Sequence, residues 1–265
     1  MTRKLAVALT LVFLAISSCT KKEHPSQMIS ESQWSRIEGL RIYFGHQSVG
    51  ENILDGIRDI EKQSHRNSLR IVSSDDPSSI EGPALIESHV GRNGDPTSKN
   101  IAFRDILDKG FGAQGGIALY KYCFVDIRPE TDVAKMFAEY RDNMRDLRSR
   151  YPRLTIVHVT IPLTTVEPGW KAVLKNLLGR PTERAIAEKR HQFNQLLRQE
   201  YAGKEPIFDL AEAESTLPDG SRAYFISRGE RIYTLAPEYT YDGGHLNESG
   251  RNVTALRLLQ TLAQF

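Results

Sequence analysis

The sequence predicts an α/β protein in three layers, with a mainly parallel sheet covered by helices on both faces. Short runs rich in β-branched and aromatic residues alternate along the chain with longer segments whose apolar residues recur at helical spacing. Strands connected through helices form parallel sheets with right-handed crossovers. The chain has 265 residues, of which 40% are hydrophobic, which is enough to bury the core of one such domain.

The first 18 residues have the pattern of a secretory signal. Arg3 and Lys4 precede an apolar run over residues 5–16, which is too short to span a membrane comfortably. Small residues then lead to Cys19, and Ile16-Ser17-Ser18-Cys19 resembles a bacterial lipobox. This resemblance implies cleavage before Cys19, acylation of its thiol and a lipid-anchored protein of the bacterial cell envelope.

The residue after the cysteine gives the expected location, and the polar stretch that follows gives the domain boundary. Thr20, rather than Asp, follows Cys19, and the lipobox resemblance then implies the outer membrane, facing the periplasm. Residues 19–35 predict a lipidated, flexible tether, and residues 36–265 predict the folded domain. Lipidation would leave Cys123 as the only thiol, and its apolar neighbours predict a buried side chain.

The charge balance argues against nucleic acid as a partner. Cleavage after residue 18 removes two of the 35 Lys and Arg residues and no acid, which leaves 33 basic and 33 acidic side chains. No basic block extends beyond Lys21-Lys22. The sequence does not indicate an oligomeric state.

The first predicted strand, residues 40–44, leads to Ser48 at the start of a helix. Residues 45–47 form the turn, and apolar residues then recur at helical spacing at Val49, Ile53, Ile57 and Ile60. A hydroxyl at this position projects from the carboxyl edge of the sheet, where the first N–H groups of the helix can stabilise negative charge. Ser48 is therefore a candidate nucleophile.

The later segments continue the alternation. Further strands are predicted at residues 69–72, 117–125, 154–161 and 206–210. Helices are predicted from Val133 to the Tyr151-Pro152 break, over residues 181–201, and from the N-cap Asn247 to the end. The passage 73–100 has the composition of a long loop, and residues 222–235 predict a hairpin over the site.

A carboxylate and an imidazole, Asp242 and His245, stand three residues apart just before the last helix. An imidazole beside a serine hydroxyl can take its proton while a carboxylate orients the ring. Ligands of parallel sheets bind beyond the carboxyl ends of the strands, where Ser48 and this loop are both expected. In the alternative interpretation, Asp242 caps the turn and His245 packs beneath it.

These residues resemble a known family. Ser48 after the first strand, Gly94-Asp95 after a second, and Asp242-x-x-His245 before the final helix are similar to the first, second and fifth sequence blocks of the SGNH (GDSL-like) hydrolase superfamily. The resemblance implies a five-stranded sheet of flavodoxin-like order 2-1-3-4-5. It also implies a triad of Ser48, His245 and Asp242, and an oxyanion hole that uses Ser48 and Gly94.

The sequence departs from the family pattern at two places. His46-Gln47-Ser48 replaces Gly-Asp-Ser, and the third block, Gly-x-Asn-Asp, has no match, so its oxyanion-binding asparagine is missing. Asn52 and Asn93 are candidate substitutes in the oxyanion hole, with surface or capping roles as the alternative. Lys121 interrupts the third strand and is expected to reach solvent from the strand edge, with a side chain that faces the site as the alternative.

No metal site and no cofactor is predicted. His46, His89, His245 and Asp242 carry possible ligand atoms, but their spacing matches no compact metal motif. Isolated loop histidines are more often solvated or hydrogen-bonded than bound to metal. The sequence also has no glycine-rich phosphate loop with a lysine.

The resemblance therefore implies a lipid-anchored serine esterase, which hydrolyses or transfers an acyl ester, with acetyl preferred, on an envelope or extracellular carbohydrate. The expected partners are this ester substrate, such as an acetylated polysaccharide, and the membrane through the lipid anchor. Aromatic residues that could stack on sugar rings precede the catalytic loop: Tyr224, Phe225, Tyr233, Tyr239 and Tyr241. The alternative is a non-catalytic protein of the same fold that binds glycan or an envelope partner.

Overall fold

A computed structural model describes residues 28–166 and 183–265. The predicted signal segment, Cys19, most of the tether and the first two residues of the predicted helix 181–201 lie outside the described residues. Within the described residues, no helix combines the length and the apolarity needed to cross a membrane.

The centre of the described structure is a sheet of six parallel strands. In chain order they are β1 (Arg41–His46), β2 (Ile71–Ser73), β3 (Ala84–His89), β4 (Gly116–Tyr120), β5 (Leu154–Val159) and β6 (Ile207–Phe208). Their order across the sheet is β2-β3-β1-β4-β5-β6. The register places Tyr43 of β1 opposite Ile86 of β3 on one side and Ala118 of β4 on the other.

The predicted fold class is confirmed, but the strand assignment within it needs one correction. The strand β3 lies in the passage 73–100, which the sequence predicts to be a loop, and it separates β2 from β1. Its apolar run is only Ala84-Leu85-Ile86 and directly follows the turn residues Gly82-Pro83, so the loop-like flanks hid it. The five strands other than β2 follow the order 2-1-3-4-5.

Helices cover both faces of the sheet. In chain order they are α1 (Glu31–Glu38), α2 (Val49–Gln63), α3 (Pro96–Ile106), α4 (Gly112–Gln114), α5 (Val133–Arg150), α6 (Glu183–Tyr201), α7 (Leu210–Ser215) and α8 (Glu248–Leu262). Ile42 and Phe44 of β1 join the core beneath α1, α2 and α8, whereas Tyr43 joins the core beneath α3, α5 and α6. This alternation follows from the two-residue period of a strand.

The helix α1 moves the start of the domain towards the N-terminus. Ser30 and Gln33 form a reciprocal capping box at its start. Trp34 and Ile37 are buried in the same core as α2 and α8. The predicted boundary between tether and domain, at residue 36, is therefore too late, and the helix belongs to the domain.

The predicted hairpin is present, and it packs on α6. Its strands are β7 (Tyr224–Ser227) and β8 (Glu230–Tyr233). Ser227 donates a hydrogen bond to Glu188 at 2.7 Å, and His191 lies 3.0 Å from Glu230. These contacts place the hairpin beside the helix that follows β5.

The helices α2 and α8 cross very closely and run in the same direction. A Cβ atom on Gly56 would lie 2.2 Å from the carbonyl oxygen of Arg251 and 2.8 Å from the Cβ of Ala255. Near the start of both helices, the Leu246 N–H donates to the Asn52 side chain at 3.1 Å. Further along, Arg251 pairs with Asp59 at 2.6 Å. Since Ser48 precedes α2 and His245 precedes α8, this crossing aligns the two residues.

The substitution Gly56→Ala should destabilise the protein. Overpacking costs about 1–3 kcal/mol, which exceeds the roughly 1 kcal/mol that alanine gains over glycine within a helix. Thermal unfolding of the purified variant measures the loss. Gly39→Ala is the matched control, because a Cβ there would meet its nearest atom at an ordinary 3.4 Å. Equal melting temperatures for both variants would contradict the close crossing.

Candidate active site

Ser48 is held in an unusual backbone conformation between β1 and α2. It is the N-cap of α2 with φ 56° and ψ −109°, a positive φ that non-glycine residues rarely adopt. The turn is tight, because a Cβ on Gly50 would lie only 2.3 Å from the Cβ of His46. Such strain is tolerated where the surrounding elements fix the backbone, and it is common at functional sites. The prediction that Ser48 lies where a strand becomes a helix is confirmed.

The structure brings Ser48, His245 and Asp242 together in a continuous chain of hydrogen bonds. The Oγ of Ser48 lies 2.7 Å from the Nε2 of His245. The Nδ1 of the same ring lies 2.7 Å from the Oδ2 of Asp242. The carboxylate can only accept, so Nδ1 carries a proton, and in the neutral ring Nε2 is free to accept the serine proton.

The Asp242 carboxylate is fixed by its own loop. Its Oδ1 accepts the N–H groups of Gly244 at 2.9 Å and His245 at 2.8 Å. The hydrogen bond from the His245 ring, followed by these two backbone N–H groups, holds the pKa of Asp242 well below its ordinary value. The Asp242 carboxylate thus caps the turn and also orients the His245 ring. From the sequence these two roles of Asp242 are alternatives, and the structure combines them.

The His245 ring is held at the surface rather than packed beneath the loop. Its side chain is 46% exposed, and its ring forms an edge-to-face pair with the Phe124 ring, with centroids 5.5 Å apart. Thr240 donates to the His245 carbonyl at 2.6 Å. The ring is therefore both oriented and accessible.

The residues predicted for the oxyanion hole have other partners in the structure. The Gly94 N–H donates to Asp126 at 2.7 Å. The Asn93 side-chain oxygen accepts from Lys99 at 3.1 Å, and that of Asn52 accepts the N–H of Leu246. Asn52 thereby ties the start of α2 to the loop that carries His245. None of these three hydrogen bonds is made to Ser48.

The sequence interpretation missed a buried ion pair next to this site. Lys99 and Asp126 are fully buried and lie 2.6 Å apart. Asp126 also accepts the N–H groups of Gly94 and Cys123, so one carboxylate holds the loop after β3 against the turn after β4. A single acid inside the apolar run Phe124-Val125-Asp126-Ile127 was the available signal.

Lys121 is also buried, whereas the sequence predicts a side chain that reaches solvent. It is 1% exposed, and its Nζ lies 3.4 Å from the Sγ of Cys123, which is buried as predicted. Burial lowers the pKa of Lys121. Nearby, the Leu163 N–H donates to the fully buried Glu214 at 2.6 Å, and burial raises the pKa of Glu214 to about 8. The expectation that Lys121 reaches solvent is therefore wrong.

A groove of about 600 Å³ opens beside His245. Its wall includes Phe124, Arg128, Thr164, Ile186, Arg190 and Asp242. Arg190 is 3% exposed and donates to Thr164 at 2.6 Å, and burial lowers its pKa to about 10. The exposed side chain of Arg128 lies close to Gly94. A Cβ atom on Gly94 would be 2.3 Å from the guanidinium of Arg128. Glu183 also lines the groove and lies 3.9 Å from Arg190, so the groove presents charges of both signs next to the imidazole.

The predicted aromatic cluster is divided by the fold. Tyr239 is buried in the core, whereas Tyr241, directly before Asp242, is 78% exposed. Tyr224 and Tyr233 form an edge-to-face pair on the hairpin, with ring centroids 6.4 Å apart. Of these residues, Tyr241 alone adjoins a residue of the Ser48–His245–Asp242 chain in sequence.

The four possible metal ligands in the sequence also separate into two groups. Asp242 and His245 belong to the chain of hydrogen bonds with Ser48. His46 and His89 lie together at the ends of β1 and β3, where each pairs with a glutamate at 2.9 Å.

No protein-family model and no curated protein matches the chain. Among solved structures, a GDSL-like lipase from Bacteroides thetaiotaomicron is 13% identical, with a TM-score of 0.49 over 84% of this chain and 87% of that one. A lipase/acylhydrolase from Enterococcus faecalis is 14% identical, with a TM-score of 0.49 over 84% and 95%. An acetyl xylan esterase is 13% identical, with a TM-score of 0.44 over 83% and 98%. At these levels the likeness says nothing of activity.

The titration of Glu214 should make stability depend on pH. Its pKa is about 8 in the folded protein and about 4.3 in an unfolded chain. Between these pH values the folded state keeps a proton on Glu214 that the unfolded state loses, so the free energy of unfolding falls as pH rises. The free energy of unfolding of the wild type should therefore fall relative to Glu214→Gln over this range. Denaturant unfolding at several pH values measures the difference, which Glu212→Gln on the same helix should not reproduce. A difference that does not change with pH would mean that Glu214 is ionised in the folded state.

Proposed function

We propose that this protein is a serine ester hydrolase or acyltransferase of the SGNH type. The observation that carries the proposal is the chain of two 2.7 Å hydrogen bonds from Ser48 through His245 to Asp242. A serine hydroxyl, an imidazole and a carboxylate in this arrangement form the constellation that activates serine for acyl transfer. Their position at the carboxyl edge of a parallel sheet is where ligands of such folds bind.

In the proposed reaction, the Ser48 Oγ attacks the ester carbonyl carbon while His245 Nε2 takes the hydroxyl proton. The tetrahedral intermediate then collapses, and the alcohol leaves with that proton, so the acyl group remains on Ser48. His245 next takes a proton from water or from an acceptor alcohol, which attacks the carbonyl carbon of the acyl-enzyme. The bond between that carbon and the Ser48 Oγ then breaks, and His245 returns the proton to Oγ. Asp242 orients the ring and stabilises the imidazolium that forms in each half-reaction.

The oxyanion of the intermediate needs donors close to Ser48. We assign this role to the Ser48 N–H, which lies at the start of α2 where the helix dipole also favours negative charge. Gly94 can contribute its N–H if the oxyanion shares it with Asp126, which now accepts it at 2.7 Å. An oxyanion role for Asn93 and Asn52 stays a prediction. Their side-chain oxygens accept from Lys99 and Leu246, and the oxyanion would need their side-chain N–H groups.

The proposed substrate is an acyl ester, with acetyl preferred, on a carbohydrate of the envelope or the extracellular space. Two features support a sugar. The groove beside His245 is open and wide enough for more than the ester group, and the exposed Tyr241 ring offers a stacking surface directly before Asp242.

A protein that binds glycan without catalysis is the second candidate. The observation that favours it is the engaged Gly94 N–H, which leaves fewer donors for an oxyanion. The two candidates differ in the reactivity of Ser48, because only an activated serine reacts covalently with a fluorophosphonate.

Replacing members of the triad should abolish most esterase activity. Ser48→Ala and His245→Ala should each lower kcat by about a thousandfold or more on aryl acetates and acetylated sugars, with the double variant scarcely worse, because the groups act as a unit. Asp242→Asn should retain somewhat more activity. Wild-type Ser48 should react with a fluorophosphonate, as detected by mass spectrometry.

Two exposed residues provide matched controls, since Ser249→Ala and His65→Ala make the same substitutions away from the site. Equal turnover by wild type and Ser48→Ala would remove Ser48 from the mechanism. A wild-type protein without esterase activity and without labelling would favour the glycan-binding candidate.

The proposed location is the bacterial outer membrane, with Cys19 lipidated and the domain in the periplasm. The support is the Ile16-Ser17-Ser18-Cys19 sequence after a basic and apolar leader. Cys19→Ala should prevent processing, so that the unprocessed precursor accumulates or is released from the membrane fraction. Cys123→Ser is the matched control and should leave localisation unchanged, because that thiol is buried in the fold. A wild-type protein that keeps residues 1–18, by mass spectrometry of the membrane fraction, would refute the anchor.

A further inference from the structure

Two histidines and a glutamate converge beside Ser48, outside the triad. His46 and His89 are the last residues of β1 and β3, and they are direct partners in the parallel register of these strands. Glu51 lies in the first turn of α2. The strand pairing and the Ser48 turn therefore bring three potential metal ligands to one point at the carboxyl edge of the sheet.

The distances between these groups suit one small cation. Glu51 Oε1 lies 2.9 Å from His89 Nε2 and 3.8 Å from His46 Nδ1. One ligand atom from each residue lies within 4.8 Å of the other two. Tetrahedral zinc with bonds of about 2.0–2.2 Å places its ligand atoms roughly 3.3–3.5 Å apart. The two observed distances, 2.9 Å and 3.8 Å, lie on either side of that range.

The buried ring of His46 provides an independent observation that points to a ligand. The ring is 0% exposed, and its Nε2 lies 2.9 Å from Glu87 Oε2. Because that carboxylate accepts, Nε2 carries the proton, and Nδ1 of the neutral ring presents a lone pair. This Nδ1 is buried without a hydrogen-bond partner among residues 28–166 and 183–265.

The group that Nδ1 faces is an acceptor as well. At 3.8 Å, the Glu51 carboxylate is too far for a hydrogen bond even if Nδ1 is protonated. A cation between the lone pair and the carboxylate would satisfy both. The Glu87 contact would then hold His46 as carboxylates commonly hold histidine ligands from behind the metal.

We propose that His46 Nδ1, Glu51 Oε1 and His89 Nε2 bind one divalent transition-metal cation, with Zn²⁺ preferred. Two imidazoles and one carboxylate are a nitrogen and oxygen set that suits zinc, whereas calcium and magnesium prefer oxygen ligands alone. Three protein ligands leave one coordination position open. The Glu51 and His89 side chains are 47% and 67% exposed, so they can adjust around the cation while His46 stays fixed.

The site is distinct from the proposed esterase chemistry, which uses no metal. His46 and Glu51 flank Ser48 by two and three residues in the chain. A bound cation would therefore connect β1, β3 and the first turn of α2 around the nucleophile.

The test is calorimetric titration of Zn²⁺ into the full-length, tag-free chain after removal of metal with a chelator. The wild type should bind one Zn²⁺ per chain. His89→Asn and Glu51→Gln should each weaken binding by more than about tenfold, as loss of even an outer partner of a metal site commonly does. Zn²⁺ should also raise the melting temperature of the wild type and not that of these variants.

Matched controls make the same substitutions elsewhere. His65→Asn changes another exposed histidine, and Glu248→Gln changes an exposed glutamate in the first turn of α8, and both should bind Zn²⁺ as the wild type does. Ser48→Ala should also keep the site, so the test stands whether or not the protein is an esterase.

Three results would overturn the proposal. The first is a wild type that binds no Zn²⁺ with a defined stoichiometry. The second is equal binding by wild type, His89→Asn and Glu51→Gln. The third is binding lost in His245→Asn and retained in His89→Asn, which would assign the cation to the triad.

Discussion

The contact on which the site depends is the crossing of α2 and α8. Ser48 and His245 are 197 residues apart in sequence, yet the Ser48 Oγ lies 2.7 Å from the His245 Nε2. The packing of the two helices that follow these residues holds them together. Gly56 lets the two backbones approach, Asp59 pairs with Arg251, and Asn52 accepts the N–H of Leu246. Since the hydrogen bond tolerates only a few tenths of an ångström, side-chain packing remote from the chemistry sets its geometry.

A second constraint comes from the buried carboxylate of Asp126. Burying an ion pair costs desolvation free energy, and Lys99 alone would satisfy only part of the carboxylate. The backbone N–H groups of Gly94 and Cys123 complete it. Two loops from different strands are thereby locked together next to Ser48. Such a cluster is stable only when every polar group in it is hydrogen-bonded. An oxyanion that took the Gly94 N–H would therefore remove one of the hydrogen bonds that stabilise the buried Asp126 carboxylate.

The sequence predicted the parts of the site that depend on short-range pattern. The strand-to-helix change fixed the place of Ser48, and the three-residue spacing of Asp242 and His245 fits one turn. It did not predict β3, whose apolar run is three residues long, or the burial of Lys99, Lys121 and Asp126. Lys99 and Asp126 are 27 residues apart in the chain, and a charged residue in a sequence does not show whether such a distant partner exists.

The same limit explains why sequence spacing does not reveal that His46 and His89 are neighbours. His46 and His89 are 43 residues apart and match no compact motif, yet parallel pairing of β1 and β3 makes them neighbours. Sheet register, like helix packing, converts distant residues into a local cluster. Two imidazoles therefore lie near the Ser48 turn at this edge: the exposed ring of His245, which Asp242 orients, and the buried ring of His46, which Glu87 orients. Each carboxylate fixes the proton on one ring nitrogen, so the opposite nitrogen is the one left to act, towards the serine in His245 and towards Glu51 in His46.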